Sequence, residues 1–148
     1  MRTHRTIWLL VALVTLSAVP TARAQTTLPP GGTFVDDDGN PHEGAIEAIA
    51  AAGITTGCGA EIFCPQAPVT RAEMAAFLVR ALGQSPASGG GTFSDVPAGQ
   101  WYTGFVERIA LLGISTGYAD GTFRPHVPTS RGEMALFLQR ALDLAPKA

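Results

Sequence analysis

The chain repeats itself, and that duplication limits its architecture more than any other feature. Thr33-Phe34-Val35-Asp36 recurs as Thr92-Phe93-Ser94-Asp95, and Gly53-Ile54-Thr55-Thr56-Gly57 recurs as Gly113-Ile114-Ser115-Thr116-Gly117. Thr70-Arg71-Ala72-Glu73-Met74-Ala75 recurs as Ser130-Arg131-Gly132-Glu133-Met134-Ala135, so the period is about 60 residues. A unit this short cannot bury its apolar face alone. Repeats of this kind become stable by packing on one another.

Each copy reads as helix, loop, helix. The first helix of repeat 1 is expected from about His42 to Ala52, with Ile46, Ile49 and Ala50 on one face; Val106, Ile109 and Ala110 form the matching face in repeat 2. Gly53 and Gly113 stand where a helix commonly stops in the left-handed conformation. In the second helices Met74, Phe77, Leu78, Ala81 and Leu82 follow a 3-4 spacing that Met134, Phe137, Leu138, Ala141 and Leu142 repeat. That spacing makes one apolar stripe, expected to pack the second helices into a shared core. Thr70 with Glu73, and Ser130 with Glu133, have the spacing of a capping box. The expected fold class is all-α.

The residues ahead of the duplication have a different character. Arg2 and Arg5 precede an apolar run from Ile7 to Val19, then Pro20 and the small-residue site Ala22-Arg23-Ala24. This is the pattern of a secretory leader, 1–24, cut before Gln25. The run is shorter than the ~20 residues a spanning helix needs, and no later segment is long and apolar enough to span a bilayer. Loss of Arg2, Arg5 and Arg23 leaves seven basic against twelve acidic residues, a net charge of −5. An acidic chain lacks the footprint of a nucleic-acid binder. The Pro/Gly-rich stretches 25–32 and 85–91 read as linkers, which places repeat 1 at 33–84, repeat 2 at 92–144 and a tail at 145–148.

Cys58 and Cys64 lie six residues apart with no second Cys/His pair beside them. In an oxidising exterior a local disulfide is favoured over a metal site. Asp36-Asp37-Asp38-Gly39-Asn40 lacks the alternating ligands and closing glutamate of a calcium loop and reads as a solvated turn. No metal or cofactor is expected. The segment after the leader has two histidines, His42 and His126, and no Ser-His or Cys-His arrangement with a base, so no catalysis is expected.

Taken together, Phe93-Ser94-Asp95-Val96, Trp101, Gly113-Ile114, the run Gly117-Tyr118-Ala119-Asp120-Gly121-Thr122-Phe123-Arg124-Pro125 and Ser130-Arg131-Gly132-Glu133 resemble the S-layer homology family. Repeat 1 is a divergent copy, with Pro41-His42 in place of Trp101-Tyr102 and the cysteine loop in place of Tyr118 to Arg124. The resemblance implies a secreted, wall-associated, non-catalytic protein that binds secondary cell-wall polysaccharide, often bearing pyruvate ketals, or a peptidoglycan-linked polymer. Carried over by position, it points to Arg131, Trp101, Gly117, Tyr118 and Ser130 in repeat 2, and to Arg71 and Thr70 in repeat 1, as ligand-binding residues. An arginine fork suits a pyruvyl carboxylate, and tryptophan offers a flat face to a sugar ring. The family's usual unit is three motifs in pseudo-threefold array. Two motifs give a partial version of that bundle: either the two repeats close on themselves, or apolar surface remains for a second copy or a partner helix. The alternative function is therefore a structural module that self-associates or packs on another secreted protein.

Overall fold

The computed structural model describes residues 32–146. The expected leader, all but the last residue of the first linker, and residues 147–148 lie outside the described residues. Four helices follow in order: α1 (Glu43–Ala51), α2 (Arg71–Ala81), α3 (Thr103–Leu111) and α4 (Arg131–Ala141), with no strand among the described residues. The all-α, two-repeat architecture is as expected.

Local chemistry explains the boundaries. The Glu73 amide donates to the Thr70 hydroxyl at 3.3 Å and the Thr70 amide donates to the Glu73 carboxylate at 2.7 Å. Ser130 and Glu133 repeat the arrangement at 3.2 and 3.0 Å. Both boxes thus satisfy amides that a helix start leaves open. Gly53 and Gly113 end the first helices with φ of 69° and 70°.

Two carboxylates hold each repeat together, and both recur at the same place. Asp36 accepts the amides of Phe63 and Cys64, each at 2.7 Å, and Asp95 accepts those of Phe123 and Arg124 at the same distance. Glu47 accepts the amides of Thr33 and Phe34. Its counterpart Glu107 accepts the Thr92 amide at 3.1 Å and the Thr92 hydroxyl. These bonds tie the entry segment of each repeat to its loop and to its first helix. The backbone bonds hold the Asp36 carboxyl below the usual carboxylate range.

The loops of the two repeats share a backbone shape but not a fastening. Glu61 and Gly121 both have positive φ, as do Cys64 and Arg124. In repeat 1 Cys58 and Cys64 form a disulfide. In repeat 2 the residues at those positions are Tyr118 and Arg124, and the guanidinium lies 3.9 Å from the ring centroid, held also by Asp120 at 3.0 Å. A covalent link therefore stands where the other repeat uses a cation–π stack.

The second helices share one core as expected, and α3 contributes more to it than α4 does. α2 packs most extensively on α3 and touches α4 less, and the buried cluster joins Ala72, Ala75, Leu78 and Val79 to Val106, Ile109, Phe123 and Phe137. Ala72 and Ala75 are buried in this cluster, whereas Ala76 lines a groove on the repeat 1 side. Phe137 is the one α4 residue buried among the described residues, so most of the α4 stripe is left outside the core.

Asp37 stands where repeat 2 has Val96, in the Phe34–Asp37 and Phe93–Val96 segments. It is 1% exposed, and neither carboxylate oxygen has a hydrogen-bond partner. Burial, then the nearby Glu47 and Glu43, raise its pKa. A raised carboxyl pKa disfavours the fold at neutral pH, and that penalty vanishes as pH falls below the unfolded value near 4. Asp37→Val is expected to stabilise the fold by about 1–3 kcal/mol at pH 7. The gain should shrink in thermal melts taken towards pH 4.

Candidate functional site

The repeats meet at the first turn of α2. The amides of Arg71 and Ala72 donate to the carbonyls of Val127 and Pro125, each at 2.9 Å, and the Thr129 amide donates back to Val69 at 2.8 Å. Arg71 is 3% exposed. Its Nε donates to the Phe123 carbonyl at 2.7 Å and its Nη1 to Glu133 Oε1 at 2.6 Å. The rings of Tyr118, Phe123 and Phe137 surround the guanidinium with centroids 4.8, 4.7 and 5.2 Å from Cζ. The Tyr118 hydroxyl, Ser130 and Arg71 hold the Glu133 carboxyl at about 2. This cradle is closed.

Repeat 1 carries the same cradle open. Phe63, Glu73 and Phe77 occupy the positions of Phe123, Glu133 and Phe137, and they line a groove of about 400 Å³. Thr55, Thr56, the disulfide and Val69 continue its wall; Arg80 and Trp101 complete it. Trp101 is 59% exposed, edge-on to the Tyr102 ring at 5.5 Å. Arg80 donates to the Ile54 carbonyl at 3.3 Å and lies 4.9 Å from the Phe105 ring centroid. The groove thus sets aromatic faces beside hydroxyls, one cation and one carboxylate, the mixture that fits a sugar ring bearing an acidic substituent.

The residues singled out in the sequence fall into three places. Trp101 lines the groove, but with repeat 1 rather than with its own motif. Arg71, Tyr118 and Ser130 gather around Glu133, where their side chains bond to protein. Thr70 caps α2 and does not line the groove; its capping partner Glu73 does. Gly117 has φ of 67° and lies against Phe93 and the Thr122 carbonyl, a steric role. Arg131 is exposed at the start of α4 and does not line the groove. Sequence reasoning missed Arg80, although Arg140 recurs at the same position and makes the same bond, to Ile114 at 3.2 Å.

The S-layer homology domain model matches the chain twice, over residues 33–75 and 92–135. A cell surface protein of Thermoanaerobacter kivui is 34% identical over 115 residues, which is 74% of this chain and 15% of that protein. An amylopullulanase of Thermoanaerobacterium thermosulfurigenes is 34% identical over 113 residues, 76% of this chain and 6% of the enzyme. An S-layer-related protein of Niallia circulans is 44% identical over 80 residues, 53% of this chain and 5% of that protein. The chain therefore spans a small fraction of the length of these relatives.

Proposed function

This chain belongs to the S-layer homology family, and from that premise we propose that it anchors to the cell envelope from outside by binding wall polysaccharide, without catalysing a reaction. The observation that carries this reading is the groove where Trp101 of repeat 2 faces Phe63, Phe77 and Arg80 of repeat 1. The indole supplies the platform for a sugar ring, Arg80 the charge for a carboxylate such as a pyruvyl group, and Thr55 and Thr56 the hydroxyls for its ring oxygens. Arg71 takes no part, since its fork is spent on Glu133 and the Phe123 carbonyl. The relatives named as surface and S-layer proteins support a surface location. The amylopullulanase supports a role for such repeats as an attached module, because this chain matches only 6% of it.

Purified protein is expected to sediment with cell-wall preparations. Trp101→Ala should weaken that binding about tenfold, the equivalent of about 1.4 kcal/mol, while melting like the parent protein. Walls stripped of their secondary polysaccharide should bind neither. Undiminished binding by both Trp101→Ala and Arg80→Ala would remove the groove from the mechanism. A second reading, a protein-interaction module, is favoured by Met134, Leu136 and Leu138, which α4 exposes to solvent.

A further inference from the structure

The seam inside the molecule has two halves, and each half occurs a second time without its mate. Repeat 1 supplies the first half: the start of α2, with Arg71, Ala72, Ala75, Ala76 and Leu78 all buried against repeat 2 or in the core beside it. The corresponding residues of α4 are Arg131, Gly132, Ala135, Leu136 and Leu138, and every one is exposed. Repeat 2 supplies the second half: the cradle around Glu133 and, packed on α2, the helix α3. Its counterpart in repeat 1 is the groove beside Glu73, with α1 alongside; among the described residues α1 packs on no other helix.

We propose that a second copy of this chain closes both halves head to tail, with α4 of one copy entering the groove of the next and Arg131 pairing with Glu73. The occupant follows from complementarity already present in the molecule. Arg131 stands in the position of Arg71, and Glu73 in that of Glu133. The carbonyls of Pro65 and Ala67, on the groove wall, stand where those of Pro125 and Val127 receive the amides that open α2. The amides of Gly132 and Arg131 are their matching donors. Leu136 and Leu138, 42% and 39% exposed, supply the apolar flank that would lie on α1. Removing that surface from water favours the joint, and the internal seam shows that this backbone arrangement can be built. The repeat 1 cradle has one difference: the disulfide replaces the ring of Tyr118, so the guanidinium is flanked by two aromatic rings instead of three.

The inference does not depend on wall binding, although both use the groove; a second copy and a glycan would compete for its Glu73 end. It is therefore tested without wall material. Sedimentation velocity over a rising concentration series should show the parent protein moving from single-chain mass to dimer or higher. Arg131→Glu and, separately, Glu73→Arg should each weaken the association at least tenfold, and an equimolar mixture of the two variants should regain it, because each joint then has opposite charges. Arg131→Glu places an acid at a helix start, where the dipole favours it, so its fold is safe. Glu73→Arg loses a cap, and circular dichroism with a thermal melt establishes that it folds. Leu138→Glu, which alters no cap, should also hold the protein at single-chain mass. A parent protein that stays single-chain at every concentration overturns the proposal. So does undiminished association of both Arg131→Glu and Leu138→Glu, or failure of a folded mixture to regain mass.

Discussion

Arg71→Ala is expected to lower stability by about 3 kcal/mol, whereas Arg131→Ala should stay within about 0.5 kcal/mol of the parent protein. The two arginines occupy the same motif position, but their surroundings differ. Arg71 is buried between three aromatic rings and bonds to Glu133 and to a main-chain carbonyl. Removing one partner of a buried pair strands the other, which costs more than the pair itself contributes. The loss should lie at the lower end of the range for such pairs, because Glu133 is 28% exposed and keeps Tyr118 and Ser130. For a domain of this size, 3 kcal/mol corresponds to a fall in Tm of roughly 10 °C or more. Arg71→Lys should recover little, since an ammonium cannot serve the carbonyl and the carboxylate from one planar fork. Thermal or urea unfolding of the three variants checks the prediction, and equal effects of the two alanine substitutions would contradict it. The seam is also expected to tolerate acid. The carboxyl of Glu133 is held at about 2, so its contribution is present above the ordinary glutamate range and is lost only as pH falls towards 2.

Gly117→Ala should cost about 3 kcal/mol, although the change adds one methyl group. At φ of 67° a β-carbon is disfavoured by about 1–2 kcal/mol. Here the new atom would also overlap the Phe93 ring edge and come within 2.7 Å of the Thr122 carbonyl, an overpacking that costs about 1–3 kcal/mol more. The duplicated position gives an internal replicate: Gly57→Ala meets the Ile62 carbonyl and the Phe34 ring and should be damaging for the same reason. Were Gly117 only a point of approach for a ligand, the alanine variant would unfold like the parent protein and lose wall binding alone. Urea unfolding with a parallel sedimentation assay separates these outcomes.

The elements that depend on near neighbours in the chain were readable from the sequence. The capping boxes at Thr70 and Ser130, the helix stops at Gly53 and Gly113 and the Cys58–Cys64 link all rest on residues within a few positions of one another. What depends on the other repeat was not readable. Nothing in the Thr70–Ala75 and Ser130–Ala135 segments says that Arg71 faces a second unit and Arg131 does not. Trp101 stands out in the sequence as an aromatic of its motif, yet the groove it lines belongs to repeat 1, a relation between units that spacing within one motif does not encode. The clamps made by Asp36 and Asp95 had a visible signal: an aspartate sits at the same place in each copy, ahead of a loop with the same backbone shape. Asp37 was hidden for the opposite reason. Set among acidic neighbours it read as solvated, while its counterpart Val96 marks the position as interior.

The loop of repeat 1 is held by a sulfur bridge where repeat 2 relies on a tyrosine and an arginine. The two halves of one chain therefore respond differently to redox conditions. Thiol–disulfide chemistry in the cytosol keeps cysteines reduced, and an oxidising exterior lets them join. Repeat 2 can acquire its loop shape in either place. Repeat 1, and with it the groove wall formed by Cys58 and Cys64, reaches its finished form only where electrons can be withdrawn, so completion of the groove is tied to oxidising conditions.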